Sequence, residues 1–135
     1  MRTPFTQIYI HLIWSTWDRL PIVTSDIQPR IYALMLKKCK DMKCDPLAIG
    51  GINNHVHLLV HLNPAVSISE LVKEVKGASS HLVNYQIKPG GDFKWQGAYM
   101  AYSIRKNEVE YLSAYIRNQA KHHAENSVLP ELEGA

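Results

Sequence analysis

At 135 residues the chain has room for one domain with a single substantial core, and its 46% hydrophobic content excludes a disordered chain. No apolar run approaches the length of a membrane span and no charged-then-apolar leader opens the sequence, so a cytoplasmic protein with no membrane partner is expected. The net charge of +3 hides an asymmetry: from Glu125 onward there are three acids and no lysine or arginine, which leaves 15 basic and 9 acidic residues in the body, an excess suited to a polyanionic partner.

Phe5 to Trp17 alternates. Ile8, Ile10, Leu12 and Trp14 share one face, and Gln7, Tyr9, His11 and Ser15 the other, which predicts a strand with one buried side. Pro21 breaks the pattern. Thr24 or Ser25 is placed to cap a helix that carries Ile31, Leu34, Met35 and Leu36 and then Lys37, Lys38, Lys40 and Lys43, with Pro29 in its first turns. Cys39 and Cys44 have no second cysteine pair with which to build a zinc site and are expected as reduced thiols. Leu47-Ala48-Ile49 predicts a short strand, turned by Gly50-Gly51 and Asn53-Asn54 into a histidine-rich one that Pro64 ends. Ser67 or Ser69 opens a second helix through Leu71, Val72, Val75, Leu82 and Val83, stopped near Pro89-Gly90-Gly91. Phe93 to Ile104 is aromatic-rich and predicts a fourth strand. Asn107 caps the last helix, where Glu108 and Glu110 complement the N-terminal dipole.

This order, β-α-β-β-α-β with a trailing helix, predicts an α+β, ferredoxin-like split βαβ fold with two helices on one face of an antiparallel sheet. The third helix must then reach toward the other face. Residues 1–125 form that single domain, and 126–135 are expected to be a frayed acidic tail.

The most informative segment is Asn54-His55-Val56-His57-Leu58-Leu59-Val60-His61-Leu62. On a strand, Val56, Leu58, Val60 and Leu62 make one apolar face, while His55, His57 and His61 point the other way. Two imidazoles at i and i+2 lie close enough to share one cation, although satisfied polar residues on an open face would read the same. His61 lies beyond Leu59, away from the pair. On the last helix Val109, Leu112, Ile116 and Ala120 form one stripe, and Tyr111, Tyr115, Gln119 and His122 form a second beside it. Taken singly, Tyr115 reads as a half-buried packing residue and Gln119 as a surface amide, and the helix dipole accounts for His122 and His123.

In combination these segments resemble the single-tyrosine HUH transposases of the insertion-sequence 200/605 type. The resemblance runs from about Gln7 to His123, through His11-Leu12-Ile13-Trp14-Ser15-Thr16, the histidine strand, Val75-Lys76-Gly77-Ala78-Ser79-Ser80, Trp95-Gln96-Gly97-Ala98-Tyr99 and Tyr115-Ile116-Arg117-Asn118-Gln119. It implies a Mg²⁺ or Mn²⁺ ion held by His55, His57 and the Gln119 amide oxygen, with Tyr115 as the nucleophile that forms a 5′-phosphotyrosine on single-stranded DNA near a hairpin. It further implies a homodimer whose third helix completes the partner's site in trans, and the aromatic edge at Tyr99 and Tyr102 would be protected by such pairing. Arg19, Lys37, Lys38 and Lys76 are the expected contacts to the DNA backbone.

The sequence departs from the family's pattern at Asn54, where an aspartate is usual, and at Trp17-Asp18-Arg19-Leu20, where only Arg19 matches a basic-aromatic-basic-basic run. Three other readings compete with this one. A histidine-triad nucleotide hydrolase would need a histidine where Leu59 stands. A non-catalytic ferredoxin-like nucleic-acid binder would expect stacking aromatics on the open face, where histidines lie instead. A domesticated single-strand endonuclease acting on chromosomal repeats would share every motif.

Overall fold

An antiparallel sheet with alternating strands can cover one face with helices and leave the other for chemistry, provided the central strands hold their register. The computed structural model describes residues 4–124 together with Leu129 and Glu133. Its four strands are β1 (Tyr9–Ser15), β2 (Asp45–Ile52), β3 (His55–His61) and β4 (Met100–Ile104), and its main helices are α1 (Gln28–Asp41), α2 (Ile68–Leu82), α3 (Val109–Arg117) and α4 (Gln119–Ala124). The sheet order is β2-β3-β1-β4 with every pairing antiparallel, which is the expected ferredoxin-like arrangement. Leu12 lies opposite Leu58 and Ile13 opposite His57 in the central β1–β3 ladder. No helix among the described residues is long and apolar enough to cross a membrane.

The main core lies between the sheet and the α1/α2 layer. Ile10, Leu12 and Trp14 of β1 meet Val56, Leu58 and Val60 of β3, over Ile31 and Met35 of α1 and Leu71, Val72 and Val75 of α2. Cys39 and Cys44 are buried free thiols in this core, and burial pushes the Cys39 thiol up to about 12. A second, smaller cluster lies on the histidine face: Ala48, Leu59, Leu112, Tyr115 and Ile116. At roughly 1.5–3 kcal/mol per fully buried aliphatic side chain, that cluster is enough to seat α3 on the chain's own sheet.

Local details depart from the sequence expectations, each for a physical reason. Ser67 caps α2 as expected, accepting from the Glu70 N–H at 3.1 Å. At α1 neither Thr24 nor Ser25 does so by its side chain. The helix begins at Gln28, and the Thr24 carbonyl takes the Ile27 and Gln28 N–H groups in a preceding turn. Asn107 lies inside a 3₁₀ turn, Lys106–Glu108, and Glu108 closes that turn by accepting from the Arg105 N–H at 3.1 Å. The fourth strand is shorter than Phe93 to Ile104. From Phe93 to Ala98 the chain leans on α2 instead, because Lys76 Nζ donates to the Gln96 and Ala98 carbonyls at 2.7 and 2.9 Å and Trp95 Nε1 donates to Ser79 Oγ at 2.8 Å. Trp95 keeps a single bridge to Thr16. The last helix breaks at Asn118, which separates α3 from α4.

Gly50-Gly51 is not the turn but the interior of β2; the reversal is made by Asn53 and Asn54, whose carbonyls accept the Val23 and Thr16 N–H groups, each at 2.9 Å. Gly50 has a different job. It lies opposite His57 in the ladder, and a Cβ there would stand 1.9 Å from the Ile116 carbonyl oxygen, so the bare backbone lets α3 descend onto the sheet beside that histidine. Of the tail expected to fray, residues 126–128, 130–132, 134 and 135 lie outside the described residues; Leu129 and Glu133 instead return to the sheet, where Leu129 packs on the second cluster. Gly50→Ala should lower stability by about 1–3 kcal/mol, the usual scale of overpacking. Urea unfolding checks this, and an unchanged midpoint would show that α3 can be seated elsewhere.

Candidate active site

β3 lies inside the sheet with both faces covered, so its alternation sends His55 and His57 toward α3 and buries them. Each ring is tied back through Nδ1. For His55 the partner is Asn54 Oδ1 at 2.9 Å, so the neutral amide oxygen can do what the family's usual aspartate would do. For His57 the partner is Nε2 of His11 at 2.9 Å, reached diagonally across the β1–β3 ladder. Burial, and then the neighbouring His57, pull His11 down to about 3, so it stays neutral and can accept a hydrogen from His57 Nδ1. Both histidines therefore present Nε2 to one space.

What converges on that space is rich in acceptors. Gln119, at the start of α4, brings Oε1 to 3.3 Å from His55 Nε2. Glu133 brings Oε1 to 3.0 Å from His57 Nε2 and 3.4 Å from His55 Nε2. Two imidazole lone pairs facing oxygens need either protons or a cation between them. Burial holds His57 below its ordinary value, against the pull of the Glu133 carboxylate, which favours the neutral ring and hence a cation. One donor atom each from His55, His57 and Glu133 lie within 4.8 Å of one another. This mixed nitrogen and oxygen set fits a small divalent ion with positions left open.

Tyr115 stands at the rim. Its ring is 6.4 Å from that of His57 and stacks on His122 at 4.5 Å. Its hydroxyl donates to Glu133 Oε2 and accepts from the Leu129 N–H at 3.0 Å. Gln119 Nε2 donates to the same carboxylate oxygen at 3.1 Å. Burial, and then the bond to Glu133, raise the Tyr115 phenol above its ordinary value. Burial alone would raise the Glu133 carboxyl too, but its bonds to His55, His57 and Tyr115 outweigh that and hold it below the usual carboxylate range. A phenol oxygen, two imidazoles, an amide and a carboxylate thus share one small volume, an arrangement able to bring a nucleophile and a cation to the same phosphate.

The structure assembles His55, His57, Gln119 and Tyr115 in one chain. It does not bring the expected backbone-contact lysines there. Lys37 pairs with Asp41 at 3.1 Å and Lys38 with Glu74 at 3.6 Å, both on the helix layer, and Lys76 is spent on two carbonyls. Arg19 is exposed in the turn after β1, at the end of the sheet where Ser15 pairs with His55. His61 serves the opposite end, with Nε2 donating to the Thr6 carbonyl at 2.8 Å beside the Tyr9 ring.

Three members of the cluster were not expected there from sequence, His123 because the helix dipole already accounted for it. His11 carried a signal, since alternation already put it on the histidine face; the missing element was the β1–β3 register. His123 lies one turn beyond Gln119 and reaches its Oε1 at 3.2 Å. Glu133 carried none.

Comparison with known proteins identifies the family and the fold. The sequence profile of the family described as "Transposase IS200 like" matches residues 4–119. The ISDra2 transposase TnpA of Deinococcus radiodurans is 26% identical over 119 residues, covering 84% of each chain. Two solved structures share the fold with a TM-score of 0.67 each. One is a Deinococcus radiodurans protein assigned as a transposase, at 22% identity over 94% of this chain and 95% of that one. The other is a REP-associated tyrosine transposase bound to a REP hairpin, at 15% identity over 95% and 74%.

The His11–His57 contact makes two measurable demands. His11→Phe should weaken Mn²⁺ binding by roughly tenfold or more in calorimetric titration, the usual cost of losing a ligand's orienting partner. His11 is also depressed from 6.5 to about 3 in the folded chain, so its contribution to stability is complete above about pH 6.5 and is lost as pH falls toward 3. Urea unfolding should show His11→Phe losing less stability on acidification than the parent, by roughly a few kcal/mol at pH 4. Equal acid sensitivity would count against the buried neutral ring.

Proposed function

The chain belongs to the IS200-like transposase family, and from that membership we propose that it cuts and rejoins single-stranded DNA through Tyr115. The observation that carries the reading is the meeting of the Tyr115 hydroxyl and the two Nε2 atoms on one carboxylate, Glu133. A scissile phosphate placed there would face a nucleophile and a cation site at once. His55, His57 and the Gln119 oxygen would hold Mg²⁺ or Mn²⁺, with the Glu133 carboxylate within reach as a further oxygen donor. Such an ion, when bound, polarises a phosphate oxygen and offsets its charge.

The rest is the work of side chains. His11 and Asn54 fix the two imidazoles. His122, stacked on Tyr115, orients the phenol. For attack, Glu133 must release the hydroxyl, since a phenol bonded to a carboxylate in a buried site is a weaker acid. The Tyr115 oxygen then bonds to phosphorus, the P–O3′ bond breaks, and the phenolic proton ends on the departing 3′-oxygen. The product is a 5′-phosphotyrosine and a free 3′-hydroxyl. Because a phosphodiester is exchanged for a phosphotyrosine ester, another strand's 3′-hydroxyl can reverse the step without a nucleotide cofactor. The substrate we infer is a single strand bearing a hairpin, at an insertion-sequence end or in a chromosomal repeat, met in the cytoplasm.

The same reading extends to the assembly. β4 is a sheet edge with Met100 and Tyr102 exposed on it. Pairing two such edges about a twofold axis would merge two sheets and remove the liability. In the single chain the turn at Lys106–Glu108 folds α3 back onto its own sheet. Opening that turn would deliver α3 and Tyr115 to the partner's His55 and His57 with the same contacts, a swap of identical elements.

With Mn²⁺ and a single-stranded hairpin oligonucleotide, the protein should form a covalent DNA adduct that mass spectrometry places on Tyr115. Tyr115→Phe should bind the oligonucleotide and form none. An adduct on Tyr111 or Tyr102, or undiminished cleavage in EDTA, would overturn the assignment.

Mixing tests the assembly. His57→Ala and Tyr115→Phe should each be inactive alone, and together should regain activity if the tyrosine acts in trans, since one hybrid site then holds every group. No recovery in a verified heterodimer, or a monomer at micromolar concentration, would leave the site in cis.

A further inference from the structure

His123 has a place in the cluster that the proposed reaction does not use. It follows Gln119 by four residues in α4, so the two side chains share one face of that helix. Its neighbour is turned away by about 100° and serves a different ring. His122 stacks on Tyr115, while the His123 ring stands edge-on to His55 with centroids 5.0 Å apart. A helix C-terminus accounts for a histidine left in solvent beside the last carbonyls. It does not account for one that is partly buried against another imidazole.

Three Nε2 atoms surround one position, that of Glu133 Oε1. His57 lies 3.0 Å from it, His55 3.4 Å and His123 3.7 Å. Gln119 Oε1 is within reach of two of the same nitrogens, 3.3 Å from His55 and 3.2 Å from His123. The His55 ring is tied through Nδ1 to Asn54, so what it turns to these oxygens is a lone pair. A cation seated against His55 Nε2 and Gln119 Oε1 would have the His123 nitrogen beside it. At about pH 7.5 an ordinary imidazole, with a pKa of roughly 6.5, is neutral and has a lone pair to give.

We propose that His123 is a further ligand of the ion, making the site one of three imidazoles and the Gln119 oxygen. The proposal rests on the metal-dependent reading of this site and adds which ions the site prefers. Mg²⁺ is satisfied by oxygen and gives up its waters reluctantly, whereas nitrogen-rich sets favour Zn²⁺ and Co²⁺. Of Mg²⁺ and Mn²⁺, a third imidazole favours Mn²⁺. Two ligands then come from one strand, β3, and two from one helix, α4, so the ion clamps the short helix to the sheet at both of its inward-facing side chains.

The test uses the full chain without DNA. Protein carrying ¹⁵N in its histidines is titrated with Zn²⁺ and read through long-range ¹H–¹⁵N correlations of the rings. The Nε2 signals of His55, His57 and His123 should move together to the position of metal-bound nitrogen and saturate at one equivalent, while those of His61 stay. A His123 Nε2 that keeps an attached hydrogen as the other two move would overturn the proposal. Calorimetry adds the preference. His123→Ala should weaken Zn²⁺ and Mn²⁺ binding by tenfold or more, at least the cost of losing a ligand's orienting partner, and weaken Mg²⁺ binding far less. Equal losses for all three ions would count against ligation. His123→Gln separates ligation from support, because it keeps an N–H for the Gln119 oxygen and exchanges the imidazole for a weaker amide. Parental Zn²⁺ affinity in that variant would show that His123 acts only through Gln119. The two readings fail separately. A two-imidazole spectrum with an intact Tyr115 adduct would remove His123 and keep the nuclease, whereas a three-imidazole spectrum with no adduct under any divalent ion would do the reverse.

Discussion

The β1–β3 ladder is the constraint on which everything else rests. Because side chains alternate along a strand, a slip of one residue between β1 and β3 would exchange their two faces and set His57 among the leucines of the main core. The observed register pairs Leu12 with Leu58 on one side of the sheet and lays His11 diagonally against His57 on the other. The apolar face is what enforces it, since its burial against α1 and α2 is worth far more than any polar contact on the opposite side. The histidine face is thus ordered by residues on the opposite side of the sheet.

A second constraint decides what covers that face. α3 could lie over the sheet at many heights and angles, but Gly50 leaves one place where its backbone can descend, and the two leucines and the isoleucine of the small cluster hold it there. Tyr115 and Gln119 reach the histidines across a helix break at Asn118 rather than along one continuous turn. The break turns Gln119 inward until it is almost wholly buried, which a surface amide would not be. Glu133 then brings a negative charge to a site whose other members are neutral or electron-rich. The Tyr115 hydroxyl and the Gln119 amide N–H both donate to that charge.

Much of this was legible in the sequence. The element order, the apolar face of β3, the Ser67 cap and the stripe of α3 all follow from periods of 2 and 3.6 residues, which are local properties of the chain. What escaped was non-local. His11 could be placed on the right face but not beside a particular histidine, because register depends on how whole strands meet. Gly50-Gly51 reads as a turn by composition, and only the approach of a helix from the far end of the chain explains why glycine stands inside a strand. The segment from Phe93 to Ala98 has the aromatic content of a strand, but a lysine on α2 takes its carbonyls first. Glu133 lies among residues whose composition suggests solvent, and nothing near it in sequence marks it for the site.

The two apolar clusters are very unequal, and this has a consequence for the order in which the molecule comes apart. The sheet, α1 and α2 share a large continuous core, while α3 and α4 rest on a handful of side chains around Leu59. Parts of a protein with few buried contacts open at lower free energy than the rest. Tyr115 therefore rides on the piece that lets go first. Mild warming or dilute denaturant would lift Tyr115 and Gln119 away while the histidines kept their geometry, so the cluster would come apart well before the sheet did. Amide exchange would show the same division as two populations, fast in α3 and α4 and slow through β1 and β3.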